Sequence, residues 1–363
     1  MSPAPTQFHL GFRRSLNGLR GVAILFVLLC HGDVTGPGFG FIAVNTFFVL
    51  SGFLITCLLV EEYDKLSSIS LKRFYFRRAL RLLPALIVML VVFLVFAFLA
   101  DPYGRAVREL NEALFALFYF SNWAVIYHIG RHISLAHTWS LSVEEQFYII
   151  WPGILLWLLS KTSRSSLLCW IFLAAFISII LRIGLFVGTN TNLSGNILPL
   201  DPVRLWMGTD TRADSLLLGC FAGVLVSSNF APRSEWFMKV LKLSAIASGM
   251  GLLLMGTCAL ESSWMIFCGW FLASVFAMIL IIHLVSGPQS LMHLILENAV
   301  LVYLGQISYG LYVWHFPILK AMQQHHLPWR HLMYLLPVLI AALASYYLIE
   351  KPFLQLKGRF ARV

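Results

Sequence analysis

The sequence predicts an all-α polytopic membrane protein with about ten transmembrane helices and one further segment that is re-entrant or interfacial. Hydrophobic residues make up 59% of the 363 residues and charged residues only 12%, against roughly 25% charged residues in a typical soluble domain. Apolar runs close to the ~20 residues that a helix needs to cross a bilayer recur from end to end. No stretch is polar enough and long enough to form a soluble domain.

Ten of eleven apolar segments are long enough to span. The fourth segment, 113–129, is shorter and contains Ser121, Asn122 and His128. Such polar backbone and side chains are tolerated at membrane depth only when they are buried against protein, so this segment is predicted to be re-entrant or interfacial. The ten predicted spans are 16–34, 38–60, 82–100, 141–160, 166–187, 211–229, 240–258, 264–285, 299–319 and 332–349.

The net charge of +10 is explained mainly by topology. With ten spans and a cytoplasmic N-terminus, most of the Lys and Arg residues fall on the inner side, which is the bias that cytoplasmic loops show. Counting 113–129 as a span would reverse the predicted orientation of every later span. The excess of Lys and Arg on the cytoplasmic side would then be weaker. We therefore expect a multi-pass protein of the cytoplasmic (inner) membrane with both termini in the cytoplasm. The basic residues then contact anionic lipid, and no nucleic-acid partner is expected.

The first span contains two ionisable side chains, Arg20 and His31, eleven residues apart. A charged residue in a membrane helix is costly, so a functional site is the default interpretation. Eleven residues are about three turns, which places both groups on one face, about 16 Å apart. His31 is a candidate general acid or base, and Arg20 suits an anionic ligand from the inner side. The alternative is a snorkelling Arg20 and a His31 that caps the helix.

Two polar clusters follow. Arg77, Arg78 and Arg81 lie on neighbouring turns, and their guanidinium groups would suit the phosphates of a cytosolic ligand, although positive-inside topology alone explains much of this cluster. Glu144 and Glu145 open the span 141–160. They resemble first-turn acids of a helix N-terminus, yet either carboxylate could orient His31 and stabilise its imidazolium. The neighbouring candidates for substrate binding are Trp139 and Ser142.

The remaining candidates lie in later spans. Ser308, Tyr312 and His315 form one polar stripe, which predicts substrate lining, but aromatic residues near helix ends are often only an interfacial belt. Arg212 and Asp214 open the span 211–229, and Arg182 is a plausible partner for Asp214. All six cysteines lie in or at the ends of apolar segments without a CxxC pair, so no metal site or disulfide is predicted. The predicted substrate-binding residues here are Arg212, Asp214, Tyr309, Tyr312 and His315.

Taken in order, these blocks resemble the acyltransferase-3 family of integral-membrane O-acyltransferases. The resemblance covers nearly the whole chain, and it departs at Asn17 and Asn45, where the family often has Asp. We expect 1–363 to be a single membrane-embedded acyltransferase domain. The matching blocks are Leu-Asn-Gly-Leu-Arg20-Gly with His31, Asn45-Thr-Phe-Phe-Val-Leu-Ser51-Gly52, Phe-Arg77-Arg78-Ala-Leu-Arg81-Leu-Leu-Pro84, Trp139-Ser-Leu-Ser-Val-Glu144-Glu145-Gln-Phe-Tyr, Arg212-Ala-Asp214, Ile307-Ser-Tyr309-Gly-Leu-Tyr-Val-Trp314-His315-Phe-Pro317 and Leu-Ile-Glu350-Lys-Pro352.

The resemblance implies an O-acetyltransferase that moves an acyl group, commonly acetyl, from cytoplasmic acyl-CoA to a hydroxyl of a cell-envelope glycan or another extracytoplasmic acceptor. Arg20, Arg77, Arg78 and Arg81 would hold the acyl-CoA. His31 would either take a proton from the acceptor hydroxyl or carry the acyl group transiently, and Glu144 or Glu145 would orient it as the other catalytic residue. Many relatives carry a C-terminal esterase-like domain, which we do not expect here, so the enzyme would act alone or with a separate periplasmic partner. The alternative is a transporter or flippase of a glycan or an anionic lipid-linked substrate.

Overall fold

The computed structural model describes residues 9–100, 105–129, 134–190, 202–228, 234–260, 262–324 and 330–358. Every regular element in these ranges is a helix, which confirms the all-α prediction. The α-helices are α1 (Arg14–His31), α2 (Pro37–Leu66), α3 (Leu71–Ala100), α4 (Arg105–Leu117), α5 (Ser121–Ile126), α6 (Trp139–Lys161), α7 (Arg164–Asn190), α8 (Pro202–Met207), α9 (Thr209–Ser227), α10 (Glu235–Gly256), α11 (Trp270–Ser286), α12 (Leu291–Leu296), α13 (Ala299–Gln306), α14 (Ser308–Gln324), α15 (Arg330–Met333), α16 (Leu335–Ser345) and α17 (Lys351–Gly358).

Seven helical stretches within the described ranges are long and apolar enough to cross a membrane. This number supports a multi-span membrane protein, and the predicted count of about ten is not confirmed. The seven stretches are Arg14–His31, Pro37–Leu66, Leu71–Leu99, Arg164–Gly188, Glu235–Gly256, Met265–Ser286 and Leu335–Leu356.

Two predicted spans, α6 and α9, are long helices that fall outside this set. Each carries charged side chains near its N-terminal end, Glu144 and Glu145 in α6 and Arg212 and Asp214 in α9. These residues lower the apolar character of both helices. Three of the four side chains point into the protein, since Glu145, Arg212 and Asp214 are buried.

The predicted span 299–319 is not a single helix. α13 ends at Gln306, and α14 begins at Ser308 after a break at Ile307. Broken helices at membrane depth occur where the freed backbone lines a cavity or is buried in protein. The break is therefore a pointer to a site, and Ser308 does line an internal cavity.

α3 corrects the predicted boundary of the span 82–100. The helix starts at Leu71 and continues without interruption through Pro84. Arg77, Arg78 and Arg81 therefore belong to the spanning helix itself and not to a separate surface segment. A rigid helix, rather than a loop, sets the direction of each guanidinium group.

The segment 113–129 consists of the end of α4 and the short helix α5, and neither is long enough to span. The turn between them passes through Tyr119, a non-glycine residue with a φ of 53°. The side-chain amide of Gln146 donates to the backbone oxygen of Tyr119 (2.7 Å) and to Oδ1 of Asn122 (2.9 Å). These contacts hold the turn against α6, while the re-entrant or interfacial placement of the segment stays a prediction.

Close helix contacts at glycine hold the centre of the bundle together. α2 packs on α9, where a Cβ on Gly52 would lie 2.0 Å from the backbone oxygen of Leu216. A Cβ on Gly219 of α9 would lie 2.1 Å from the backbone oxygen of Val49. Small residues that let helix backbones approach are the usual means of helix packing in membranes. Any larger residue at these positions would push α2 and α9 apart.

The same device joins α1 to the end of α12 at Gly18 and to α13 at Gly305. A Cβ on Gly18 would lie 1.6 Å from the backbone oxygen of Leu296, and one on Gly305 would lie 1.9 Å from that of Asn17. Because the two backbones touch over this length, the break after α13 lies beside Arg20, which follows Gly18 by two residues. This packing positions Arg20, the first residue of the site in the chain.

Candidate active site

A small cavity of about 110 Å³ lies inside the bundle and is bounded by α1, α2, α3, α6 and α14. It is the place where the polar clusters of four distant sequence blocks meet. Its polar lining residues are Arg20, Ser51, Arg78, Arg81, Ser140, Glu144, Glu145, Tyr148, Ser308, Tyr309 and Tyr312.

Arg78 is the most heavily bonded residue of this cavity. Its Nε lies 2.8 and 2.9 Å from the two carboxylate oxygens of Glu145, and its Nη2 donates to Glu144 (3.0 Å). The guanidinium carbon also lies 3.4 Å from the ring centre of Tyr148. Ser51 completes the network by donating to Glu144 (2.7 Å). Two carboxylates and an aromatic face therefore already occupy Arg78.

Arg20 and Arg81 differ from Arg78 because they reach the cavity without a carboxylate in contact. Arg20 donates from Nη2 to the hydroxyl of Ser308 (3.0 Å), and its buried Nε has no partner among the described residues. Arg81 lines the cavity and forms no salt bridge within the described part of the chain. These two guanidinium groups are the ones available to an anion or a polarised carbonyl.

Arg77 does not join them. Its Nη2 lies 3.3 Å from the carboxylate of Glu62 on α2, and Arg77 does not line the cavity. The prediction that three arginines converge is therefore corrected to a pair, Arg78 and Arg81. The physical reason is position along the helix, since Arg77 lies a full turn before Arg81, where Glu62 of α2 faces α3.

The aromatic residues of α14 line the opposite wall. Tyr309 donates from its hydroxyl to the backbone oxygen of Leu82 on α3 (2.8 Å). Tyr312 donates to the backbone oxygen of His137 (2.6 Å) and lies 2.5 Å from the hydroxyl of Ser140. Both tyrosines, predicted as substrate-binding residues, thus face the cavity with hydroxyl groups held by the protein.

His31 lies beyond this wall, in a cluster of three histidines. Its ring centre is 4.9 Å from that of His315, which is 5.1 Å from that of His137. Nδ1 of His31 lies 2.9 Å from the backbone oxygen of Val27. Because a carbonyl oxygen only accepts, Nδ1 carries the hydrogen, and Nε2 presents a lone pair that can take a proton.

The predicted pairing of His31 with Glu144 or Glu145 is wrong in this structure. Both carboxylates bind Arg78 instead, and His31 is held by its own helix backbone. Arg20 and the two carboxylates share one end of the site, three turns of α1 away from His31. Hydropathy does not reveal which helices touch, so the sequence could not show that Arg78 of α3 faces these carboxylates.

His137 is a site residue that the sequence analysis did not assign. It is buried, and both of its ring nitrogens lack a hydrogen-bond partner among the described residues. Its ring stacks on Phe316 at 5.1 Å. The sequence feature that could have indicated His137 is its position two residues before Trp139, at the start of the Glu144 block. No group of three or more potential ligands within the described ranges is placed to hold a metal ion.

Trp139 and Ser142, predicted to bind substrate, have structural contacts instead. Trp139 packs edge-on against Phe48, with ring centres 6.1 Å apart. Ser142 is buried, accepts from the backbone N–H of Ser121 (3.2 Å) and donates to the backbone oxygen of Thr138 (3.1 Å). Neither residue lines the cavity. Their neighbour Ser140 takes the place facing it.

Arg212 and Asp214 are corrected in the same way, because both are completely buried outside the cavity. Asp214 forms the predicted salt bridge with Arg182 (2.9 Å), which confirms that pairing. Arg212 donates from Nη2 to Oδ1 of Asn45 (2.6 Å), while its Nε and Nη1 have no partner in the described ranges. The two buried guanidinium groups of Arg182 and Arg212 are therefore accompanied by one carboxylate, that of Asp214.

This imbalance predicts that Asn45→Asp stabilises the protein. An aspartate at this position would pair with Arg212 and supply the missing negative charge, and a hydrogen bond to a charged group contributes about 1.5–3 kcal/mol. Asn45→Ala is the matched variant: it removes the acceptor from a buried cation and should lower the melting temperature. Thermal unfolding in detergent measures both. A lower melting temperature for Asn45→Asp would contradict the charge argument.

Comparisons with a family model and with individual proteins agree on one family. A family model described as an acyltransferase domain matches residues 13–350. O-acetyltransferase OatA of Staphylococcus aureus (strain NCTC 8325 / PS 47) is 31% identical over 376 residues, which cover 96% of this chain and 60% of that protein. Peptidoglycan O-acetyltransferase OatA of Listeria monocytogenes serovar 1/2a (strain ATCC BAA-679 / EGD-e) is 32% identical over 365 residues, covering 96% and 56%.

The chain therefore spans less than two thirds of the length of these curated relatives. No solved structure matches it. The family match begins at Arg13 and ends at Glu350, so it includes Arg20, His31 and all the residues that line the central cavity. On this match, and on the identity to relatives over nearly its whole length, the chain belongs to the acyltransferase-3 family.

Proposed function

We propose that this protein is a membrane O-acetyltransferase that moves an acetyl group from cytoplasmic acetyl-CoA to a hydroxyl of a cell-envelope glycan. The observation that carries the proposal is the internal cavity in which Arg20 and Arg81 present guanidinium groups without a carboxylate in contact. The names of the relatives, which include a peptidoglycan O-acetyltransferase, support the reaction and the class of acceptor.

The size of the cavity limits what enters it. Ordinary ligand pockets measure about 300–1,000 Å³, whereas this one measures about 110 Å³. We infer that only the acyl-bearing end of the donor enters, while the nucleotide stays at the inner surface. Arg20 and Arg81 then contact the donor inside the bundle. Arg78 acts through its neighbours as a positioning residue that holds Glu144 and Glu145.

Acyl transfer itself takes place at the end of the site where His31, His137 and His315 lie. Nε2 of His31 takes the proton of the acceptor hydroxyl as the hydroxyl oxygen bonds to the thioester carbonyl carbon. The carbon–sulfur bond breaks, and the CoA sulfur leaves with the proton returned by His31. The residues between the cavity and His31 are Tyr312, whose ring lies 5.3 Å from that of His315, and His315 itself. The thioester must therefore pass the Ser140–Tyr312 contact to reach His31.

The deciding experiment is transfer of radiolabel from acetyl-CoA in membranes that contain the protein, followed by separation of the lipid, glycan and small-molecule fractions. Label in the glycan fraction that depends on the protein supports the proposal. Movement of a lipid-linked glycan across the membrane without any acyl-CoA requirement would instead support the transporter alternative, because transport needs no acyl donor.

The arginines provide a matched pair of variants. Arg81→Gln should weaken use of acetyl-CoA by about 10–100-fold, seen chiefly as a higher KM, because it removes a charged contact to the donor worth about 1.5–3 kcal/mol. Arg77→Gln, one turn earlier on the same helix, should keep most of the activity because Arg77 binds Glu62 outside the cavity. Initial rates at several acetyl-CoA concentrations measure both variants. Equal losses would show that the two arginines act only through topology or lipid contact.

A further inference from the structure

A second cavity lies on the other side of α1 and α2, and the proposed reaction does not use it. It has a volume of about 650 Å³ and is walled by α1, α2, α10, α11 and α12. Its lining is apolar apart from Thr46, Lys242 and Ser290. In the bundle it faces outward, since Lys242, Met250 and Leu253 on its α10 wall are exposed. We refer to it as the α10 groove.

The α10 groove is separate from the acyl-transfer cavity. On α1 the residues Leu19 and Val22 face the groove, whereas Arg20 faces the cavity. Successive residues of a helix point about 100° apart, so one helix forms a wall of both spaces. A ligand in the groove would touch the back of α1 without meeting the arginines or carboxylates.

The groove has one polar end. Lys242 lies toward the start of α10, and Leu253 lies eleven residues, or about 16 Å, further along the same wall. Lys242 belongs to the end that the positive-inside rule assigns to the cytoplasmic surface. Apart from Thr46, the rest of the groove, including Phe39 and Met250, is apolar.

A pair of histidines fixes this polar end. The hydroxyl of Ser290 lies 3.0 Å from Nε2 of His283 and 3.0 Å from Nδ1 of His293. Nε2 of His293 is in turn 3.3 Å from the backbone oxygen of Leu284. Both rings are buried. The loop between α11 and α12 is thereby held in place beside Lys242, so the mouth of the groove is a built feature.

We propose that the α10 groove binds a membrane phospholipid with an anionic headgroup, one acyl chain lying along α10 and the phosphate next to Lys242. A long apolar wall that ends in a cation at the inner surface matches the amphipathic shape and the charge of such a lipid. Anionic lipids of the inner leaflet are drawn to Lys and Arg at the membrane surface, and each such residue contributes about 1 kcal/mol, which corresponds to about fivefold in affinity.

The test is native mass spectrometry of the purified, delipidated full chain titrated with dioleoyl phosphatidylglycerol or dioleoyl phosphatidylcholine. We expect the anionic lipid to bind more tightly and with one preferred site. Lys242→Gln should weaken phosphatidylglycerol binding about fivefold. Lys239→Gln, which removes a charge one turn earlier on α10 and outside the groove, should have no effect. Met250→Trp, which fills the groove, should weaken binding of both lipids.

Other outcomes would overturn the proposal. Equal binding of the two lipids, or equal effects of Lys242→Gln and Lys239→Gln, would mean that the headgroup is not recognised at Lys242. Retention of glycerol 3-phosphate as strongly as of the lipid would mean that the site takes a free phosphate and the groove is incidental. Unchanged lipid binding by Met250→Trp would exclude the groove as the place of the acyl chain. None of these readouts depends on acetyl transfer.

Discussion

Replacing His31 with alanine should reduce acetyl transfer by about 10²–10⁴-fold, the range that general acid–base catalysis contributes. The ring is the group whose free Nε2 can take the proton of the acceptor hydroxyl, because Nδ1 is committed to the backbone oxygen of Val27. Radiolabel transfer from acetyl-CoA, normalised to the amount of protein in the membrane, measures the loss.

The variant must be shown to be folded for this result to count. Half-buried His31 sits at the C-terminal end of α1, far from the contacts that Gly18 and Gly305 make between α1 and the helices α12 and α13. We therefore expect normal membrane insertion and a melting temperature close to that of the unchanged protein. His31→Ala with full activity would remove His31 from the mechanism. The same test on His137→Ala asks whether the unassigned member of the cluster takes part in proton transfer.

Removing Arg78 should cost about 3–5 kcal/mol of stability, because breaking a buried ion pair leaves a carboxylate buried without its partner. Arg78 is bonded to both Glu144 and Glu145, and the side chains of all three are largely inaccessible to solvent. Arg78→Met is the simplest variant, since methionine retains much of the length of the arginine stem. Thermal unfolding in detergent reports the loss.

The double variant separates charge from packing. In Arg78→Met/Glu145→Met the unpaired carboxylate of Glu145 is gone, so the double variant should be more stable than Arg78→Met alone. A double-mutant cycle gives the interaction energy of the pair. Simple addition of the two single losses would show that Arg78 and Glu145 do not act as a pair. Both single variants should also lose activity, since the carboxylates lose their fixed positions.

Local patterns were sufficient for the general architecture and for several site residues. Apolar runs identified a polytopic helical protein. Charged residues inside those runs marked Arg20, Glu144 and Glu145, and Arg81 lies directly before the run 82–100; all four line the cavity. The pairing of Asp214 with Arg182 was also predictable, because a buried cation needs an anion and few candidates existed. The cost of burying charge is large enough to be visible residue by residue.

Which charged residues pair with one another could not be predicted in the same way. The sequence predicted that Glu144 or Glu145 orients His31, but both carboxylates instead bind Arg78, which lies 66 and 67 residues earlier in the chain. Likewise the apolar run 299–319 showed no sign of the break at Ile307. Both outcomes depend on which helix faces which, and hydropathy averages over all faces of a helix.

The sequence by itself determined which segments prefer the membrane to water, to which family the chain belongs, and which charged residues lie in apolar surroundings. It could do so because the free energy of burial is a property of each side chain. The tertiary structure alone decided which of those residues meet. Glycine contacts such as Gly305–Asn17 and Gly52–Leu216 set the separation and rotation of α1, α2, α9 and α13. That rotation sends Arg20 toward Ser308, Arg77 toward Glu62 and Arg212 toward Asn45.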